Sequence, residues 1–344
     1  MKTLYQKSDK RTLALLCLLF GLIVFIGRIN PQNFFSLYNF QSMTRQLAEI
    51  GIYGLAMFVI VVSGGLNLSI VAVANLAAIC GGGIMQGHFF GDVIVNPVAR
   101  LVIGALVAIA VGILSGVING FFVAKLGLAA VLVTSATSQL FSGAALIATK
   151  GNAIVGAPDV ISNLGSGNLF GVVPYLLIVV AICYAIAHFI FEKTAYGEQC
   201  RLHGANSTAN MYSGNSNVKT LMKSYMLSGF FSAVSGIVSY SRMCALRSDY
   251  GNSLTGTAML VVLMGGAWVV AGGGKVHNIF ISLFCIQVIS SGLTLAGASN
   301  FTRNTVWGLM LLVILLVATP QIKGRIQALR KLVSANKLEP KDVK

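Results

Sequence analysis

Long apolar runs separated by short polar connectors dominate this chain of 344 residues. Each of ten runs comes close to the roughly 20 residues that a helix needs to cross a bilayer. The pattern therefore predicts an all-α polytopic membrane protein, with residues 1–344 forming a single transmembrane domain of about ten helices. The predicted spans are 12–29, 47–65, 68–86, 99–122, 128–148, 169–191, 221–242, 256–272, 276–297 and 303–319.

The composition supports this prediction. Residues of the types AVILMFWYC make up 56% of the chain and charged residues 10%, against about 25% charged residues in soluble proteins. Mean hydropathy is +0.82. So little charge cannot cover the surface of a soluble fold, which disfavours a soluble enzyme, a disordered chain and a disulfide scaffold.

The net charge of +15 is distributed unevenly along the chain. If the N-terminus is cytoplasmic, 17 of the 24 Lys and Arg residues fall on the cytoplasmic side and 7 on the other. This bias fits the positive-inside rule, and an even number of spans returns the C-terminus to the cytoplasm. The predicted cytoplasmic parts include residues 1–11, 192–220 and the basic tail 320–344. Nucleic-acid binding is disfavoured because no aromatic and basic platform accompanies the charge.

The six cysteines and four histidines show no ligand spacing. There is no C-x-x-C pair, and His203, three residues after Cys200, has no further cysteine or histidine nearby in the sequence to complete a ligand pattern. The sequence therefore predicts neither a metal site nor catalytic residues.

The segment Ser63–Ser69 interrupts an apolar run with two glycines and then places Asn67 and Ser69 as N-cap-type residues. Irregular backbone at membrane depth is tolerated only where protein buries it or where it lines a water-filled cavity. Broken helices of this kind commonly mark substrate sites. The alternative is an ordinary tight turn between two helices on the cytoplasmic side, and the spacing alone leaves both interpretations open.

A second polar cluster lies within the span 128–148, and another amide, Asn119, lies in the span before it. Ser and Thr hydroxyls can bond to helix carbonyls, whereas Gln139 is expected to face a neighbouring helix or a water-filled path. Glu49, near a predicted helix end, is the only carboxylate in a span, which argues against an ion-driven carrier. The candidate substrate-path residues are Asn67, Ser69, Asn119, Thr134, Ser135, Thr137 and Gln139.

Gly112, Gly116 and Gly120 repeat every four residues and form a double G-x-x-x-G on one helix face. Small residues at this spacing let two helix backbones approach closely in lipid. The motif predicts helix packing and little else.

The connection 192–220 is the longest polar segment on the predicted cytoplasmic side. Asn206 and Ser207 can cap a short helix over 207–213, which Gly214 would end. Such a helix would be well placed to dock another protein; the alternative is a solvated loop with a single helical turn.

The glycine run 272–274 does not form a phosphate-binding loop. Val269 occupies the first-glycine position, and Val276 stands where Ser or Thr would bind magnesium. If ATP drives this protein, the ATPase is another chain.

Four segments, in this order, resemble the permease subunits of bacterial ABC importers for sugars, the group for ribose, xylose, arabinose, galactose and an autoinducer. Residues 64–69 resemble that family's Gly-Gly-Ile-Asp-Leu-Ser segment, and residues 116–134 resemble its fourth-to-fifth-span signature. Residues 204–229 resemble its cytoplasmic coupling segment, and the glycines between 265 and 274 resemble its last glycine-rich signature. The resemblance covers most of the chain.

The resemblance implies a ten-span permease of the bacterial cytoplasmic membrane that pairs with a second permease subunit, identical or paralogous. A periplasmic solute-binding protein would deliver a monosaccharide or sugar-like solute, and cytoplasmic ABC ATPase subunits, which bind ATP and Mg, would power import. The chain itself would carry no cofactor and perform no bond chemistry. The residues expected to receive the ATPase are Ala205, Asn206, Ser207, Ala209, Met211, Tyr212 and Gly214.

Four places depart from the family pattern and bear on substrate and partner choice. Asn67 replaces the usual Asp, Ser135-Ala136 replaces Leu-Gly after Thr134, Glu198 replaces Arg, and Asn215 replaces Ile. A permease of the same architecture for branched-chain amino acids or nucleosides remains an alternative. An ion-coupled secondary carrier is a further alternative, disfavoured by the scarcity of buried carboxylates.

Overall fold

The computed structural model describes residues 2–89, 95–267 and 272–318. Fourteen α-helices occupy most of these ranges, and a π-helical turn, Phe121–Lys125, extends the fifth helix. The helices are α1 Lys2–Ile29, α2 Pro31–Phe34, α3 Leu37–Val62, α4 Ile70–Gln86, α5 Pro97–Gly120, α6 Ala130–Thr149, α7 Asp159–Ser166, α8 Tyr175–Lys193, α9 Ala195–Ala205, α10 Ser207–Tyr212, α11 Asn217–Met243, α12 Leu254–Gly265, α13 Val276–Leu295 and α14 Asn300–Ala318.

Four two-residue strands form two small antiparallel pairs between helices. β1 (Ile154–Val155) pairs with β4 (Ala245–Leu246), and β2 (Asn168–Leu169) pairs with β3 (Val173–Pro174). The strands are too short to change the fold class, which is that of an all-α polytopic membrane protein.

Seven of the described helices are long and apolar enough to cross a membrane: α1, α3, α5, α6, α8, α11 and α13. Three further apolar helices, α4, α12 and α14, are shorter by the same measure. Each of the ten predicted spans therefore falls on an apolar helix. The basic tail 320–344 lies outside the described residues.

Several helix ends differ from the predicted spans. α3 begins ten residues before the predicted 47, because Ser36 caps it by accepting a hydrogen bond from the Asn39 amide. α8 begins at Tyr175 rather than at 169, after the β2–β3 hairpin. α12 ends at Gly265, since Gly266 adopts a φ of +95° that stops the helix.

The chain divides into two compact units, Met1–Ala298 and Ser299–Lys344. In the first unit α11 packs against α3, α4 and α5. The small residues of α5 make this possible: a Cβ added to Gly112 would lie 2.4 Å from the carbonyl oxygen of Gly229 on α11. Gly116 approaches the carbonyl of Tyr225 in the same way, and Gly120 lies against Met222. The repeated glycines thus lie at the α5–α11 contact. In the second unit, the described part is α14.

Candidate functional site

The connection between α3 and α4 alternates between buried and half-buried residues, and Gly64 alone is exposed. α3 ends at Val62 and α4 begins at Ile70, with Gly64 at a φ of +88° that favours glycine. Ser63, Asn67 and Ser69 are all buried. Protein covers most of this segment, and the choice between a helix break at membrane depth and a tight turn on the cytoplasmic side stays a prediction.

Side chains satisfy polar groups of this break and tie it to three other helices. The Asn67 Oδ1 accepts hydrogen bonds from the Ser69 amide (3.0 Å) and the Ser69 hydroxyl (2.8 Å). The Asn67 Nδ2 donates to Ser228 Oγ on α11 at 3.1 Å. Asn119 Nδ2 on α5 donates to Ser69 Oγ at 2.8 Å, and Thr137 Oγ1 on α6 donates to Asn119 Oδ1 at 2.6 Å. We refer to these five residues as the amide network.

The polar side chains of the amide network bond to partners within the protein. The oxygen and the nitrogen of both amide side chains, Asn67 and Asn119, have partners, and all five residues are buried. The Ser228 hydroxyl donates in turn to the carbonyl of Ala56 on α3 at 2.8 Å. A fully satisfied buried network fixes the relative positions of helices. Four of the predicted path residues therefore bind one another or α11, and each of their side-chain oxygen and nitrogen atoms makes at least one hydrogen bond within the protein.

Thr134 is also buried, but its hydroxyl bonds to the carbonyl of Ala130 within its own helix at 2.8 Å. It lies on the same face of α6 as Thr137, since residues three apart share a helix face. Thr134 thus contributes to packing beside the amide network without donating a side-chain bond to it.

Ser135 and Gln139 lie on the opposite face of α6. Ser135 is partly exposed and donates to the Val131 carbonyl at 2.7 Å, whereas Gln139 is exposed and makes no hydrogen bond to the described residues. Ser138 and Ser142 are partly exposed on the same side. Spacing of three, four and seven residues makes these four side chains one stripe, hereafter the polar stripe. An unpaired amide at the middle of an apolar span requires water or protein beside it.

The predicted cytoplasmic segment contains two helices, α9 and α10, of which the sequence predicted only the second. Asn206 caps α10 by accepting hydrogen bonds from the amides of Thr208 (3.0 Å) and Ala209 (3.1 Å). Gly214 adopts a φ of +79° after the helix. Of the residues expected to receive the ATPase, Ala209 is half-buried and the others are exposed: Ala205, Asn206, Ser207, Met211, Tyr212 and Gly214.

Asn210 anchors α10 from its buried side. Its Nδ2 donates to Asn217 Oδ1 at 2.8 Å, and its Oδ1 accepts from Asn215 Nδ2 at 3.1 Å. Because Asn217 is the first residue of α11, α10 is fixed to the central helix of the first unit.

α9 packs directly on the end of α3. A Cβ added to Gly204 would lie 2.2 Å from the carbonyl oxygen of Val62, and His203 Nδ1 lies 2.8 Å from the carbonyl oxygen of Ser63. The hydroxyls of Ser63 and Ser224 lie 2.7 Å apart. The helix before α10 therefore contacts the same break that carries the amide network. Sequence reasoning missed His203; its position beside Gly204, at a helix end, was the available signal.

Glu49 lies midway along α3, not near a helix end as predicted, because α3 begins earlier. Its carboxylate is 1% exposed. It accepts a hydrogen bond from Ser239 Oγ at 2.7 Å, one from Tyr250 at 3.2 Å, and forms an ion pair with Arg242 at 2.9 Å. A buried carboxylate paired in this way is a structural tie between α3, α11 and the following loop.

Comparison with known proteins identifies relatives along most of the chain. A family described as "Branched-chain amino acid transport system / permease component" matches residues 39–319. The chain is 28% identical over 302 residues to the ribose import permease protein RbsC of Bacillus subtilis (strain 168), covering 87% of this chain and 90% of that protein. It is 29% identical over 308 residues to the autoinducer 2 import system permease protein LsrD of Escherichia coli (strain K12), covering 88% and 90%. No solved structure matches it significantly.

Proposed function

Because the chain belongs to the permease-component family of branched-chain amino acid transport systems, we propose that it is the membrane-spanning subunit of an ABC importer for a monosaccharide or a sugar-like solute. The observation that carries the substrate class is similarity over nine-tenths of two relatives whose names specify ribose and autoinducer 2 import. This favours a sugar over the branched-chain amino acid in the family's description. The chain is a multi-pass protein of the bacterial cytoplasmic membrane.

We infer ten spans with both termini in the cytoplasm. Ten predicted spans coincide with ten apolar helices, and an even number agrees with the Lys and Arg bias of 17 to 7. In this orientation α9 and α10 are cytoplasmic, and the β2–β3 hairpin lies at the opposite membrane surface.

The polar stripe of α6 is the part of the predicted path that a solute can reach. Gln139 offers an unpaired neutral amide, and Ser135, Ser138 and Ser142 offer hydroxyls. Neutral donors and acceptors suit a polyhydroxylated, uncharged solute. The amide network lies behind this face and holds α6 against α5 and the helix break, so that its role is to position the path.

The ATPase is expected to dock on α10, with ATP and Mg bound on that partner. Met211 and Tyr212 are exposed apolar anchors of the kind that form interface hot spots. A displacement of α10 would pass through α9 to the end of α3 as a rigid-body motion, since Gly204 and His203 contact that end directly. A second permease subunit would complete the path, and a periplasmic solute-binding protein would load it.

Reconstitution tests this proposal. The chain is incorporated into liposomes with its second permease subunit, its cognate ATPase and its solute-binding protein, and uptake of labelled ribose, other monosaccharides and leucine is measured with and without ATP. ATP-dependent uptake of a sugar is expected. Uptake of leucine but of no sugar supports the amino-acid alternative. Uptake that is driven by an ion gradient in the absence of ATP supports the secondary carrier.

A further inference from the structure

The β2–β3 hairpin carries an unusual residue at its tip. The amide of Val172 donates to the carbonyl of Leu169 at 3.2 Å and closes a tight turn. The two central residues, Phe170 and Gly171, have φ values of +52° and +73°. A turn with two positive φ angles favours Asn-Gly or Gly-Gly, and here the first position is phenylalanine.

The fold does not explain this phenylalanine. A left-handed conformation costs a non-glycine residue about 1–2 kcal/mol, and packing does not offset that cost because the Phe170 side chain is 93% exposed. Backbone strain at Phe170 that packing does not offset motivates a search for a contact of this side chain outside the protein.

The carbonyls near the tip are hydrogen-bonded by side chains. Gln41 Nε2 donates to the carbonyls of Gly171 (3.0 Å) and Val172 (3.4 Å), and Arg45 donates to the carbonyl of Ser166 at 2.6 Å. These hydrogen bonds lie at the exposed surface of the chain. These bonds also hold the tip in a fixed position.

The hairpin lies at the end of a membrane span. β3 runs directly into Tyr175, the first residue of the apolar α8. Gln41, which holds the tip, lies one helical turn from Tyr38, which is 83% exposed, and Phe35 and Phe40 are exposed nearby in the sequence. No charged residue occurs between 168 and 174. Exposed aromatic side chains with this placement are typical of the membrane–water interface.

We propose that residues 168–174 form an interfacial membrane anchor, in which Phe170 inserts into the lipid headgroup layer and fixes the start of α8 at the bilayer surface. The lipid contact is favoured over a protein contact because residues 168–174 include no charged side chain and because aromatic residues are exposed at the start of α3. The charged group beside the hairpin is Arg45, which donates to Asn168 Oδ1 at 3.2 Å. This proposal does not depend on the substrate of the importer.

Tryptophan fluorescence tests the anchor directly, because the chain has only two tryptophans, Trp268 and Trp307. Both are replaced by Phe, and a single Trp is introduced as Phe170→Trp or, as a control in water, as Tyr212→Trp. In liposomes we expect brominated phosphatidylcholine to quench the emission at position 170 and not at 212. Quenching at position 170 by aqueous iodide, without quenching by the brominated lipid, overturns the proposal. Shielding from iodide by the solute-binding protein would identify a protein contact instead.

Phe170→Asn tests the premise that the fold does not need this side chain. Asn is favoured at positive φ, so the thermal unfolding midpoint of the complete chain in detergent should stay equal to wild type or rise by a few degrees. A lower midpoint would show that the phenylalanine is a structural requirement and would overturn the premise.

Discussion

The imidazole Nδ1 of His203 lies 2.8 Å from the backbone carbonyl oxygen of Ser63. Because a carbonyl oxygen only accepts hydrogen bonds, Nδ1 is the donor and carries the proton. This bond connects α9, which precedes the proposed ATPase-docking helix, with the first residue of the break between α3 and α4. A second polar route joins α9 to the break through Ser224, whose hydroxyl lies 2.8 Å from that of Tyr196 and 2.7 Å from that of Ser63.

Removing this link should uncouple ATP hydrolysis from transport. His203→Ala removes the donor of this hydrogen bond, which should lower the free energy of unfolding by about 1 kcal/mol. We expect normal membrane insertion but several-fold less solute imported per ATP hydrolysed, measured in proteoliposomes. His203→Asn, whose amide can donate from nearly the same place as Nδ1, should retain most of the coupling. An unchanged ratio in His203→Ala would exclude this residue from coupling.

Asn67 is expected to support transport and stability through the hydrogen bonds that it makes inside the protein. Asn67→Ala removes two acceptor bonds to Ser69 and one donor bond to Ser228, so we expect both lower transport and a loss of roughly 1–3 kcal/mol in stability. Asn67→Asp keeps the oxygen that accepts from Ser69 and should lie between wild type and Ala. Thermal unfolding and uptake are measured together; a variant that loses transport at full stability would instead indicate direct solute contact.

The sequence predicted an all-α polytopic membrane protein correctly because length and apolar content are local signals. It missed α9, whose residues 195–205 mix polar, charged and small side chains without a clear apolar run. It also placed the start of α3 too late, since residues 37–46 contain too many polar side chains to read as a span. Both errors concern helix outside the apolar runs, where only capping and tertiary packing determine the boundary.

The candidate site was predicted as a set of residues and not as a geometry. Asn67, Ser69, Asn119 and Thr137 do meet, but across sequence separations that no local pattern reveals. Gln139 was grouped with them because it is close in sequence. A rotation of about 100° per residue places it on the other face of α6.

Gln139 should therefore affect transport without affecting folding. It makes no hydrogen bond to the described residues, so Gln139→Leu should leave thermal stability unchanged or higher while lowering solute uptake several-fold. Leu140→Ala alters an exposed neighbour on the same helix and should leave uptake near wild type. Equal uptake by Gln139→Leu and wild type would mean that this face does not line the path.

The α5–α11 contact should be intolerant of any side chain at Gly116. A Cβ there would lie 2.3 Å from the carbonyl oxygen of Tyr225, so backbone must shift. We expect Gly116→Ala to destabilise the chain by about 1–3 kcal/mol, measured by thermal unfolding in detergent. Gly143→Ala on α6 is the matched control, since a Cβ there meets nothing within 4 Å; it should be neutral or slightly stabilising. Equal effects would contradict close packing as the cause.

Docking of the ATPase can be tested on the exposed side of α10, where substitutions should change the stability of the fold little. Tyr212 is 85% exposed, so Tyr212→Ala should not change stability, yet loss of an aromatic anchor should weaken ATPase binding by about 2 kcal/mol or more. Ala209→Arg should act more strongly by placing a bulky charge in the contact. Affinity is measured by titrating the purified ATPase onto the chain in nanodiscs.

Tyr38→Ala provides the control for this experiment, because Tyr38 is 83% exposed and lies at the opposite end of α3 from the residues that contact α9. It removes the same amount of aromatic surface far from the proposed contact, so its ATPase affinity should equal that of wild type. If Tyr212→Ala and Ala209→Arg also bind the ATPase normally and support normal uptake, the ATPase docks elsewhere. Weak binding by all three variants would instead indicate that the loss of affinity is not specific to α10.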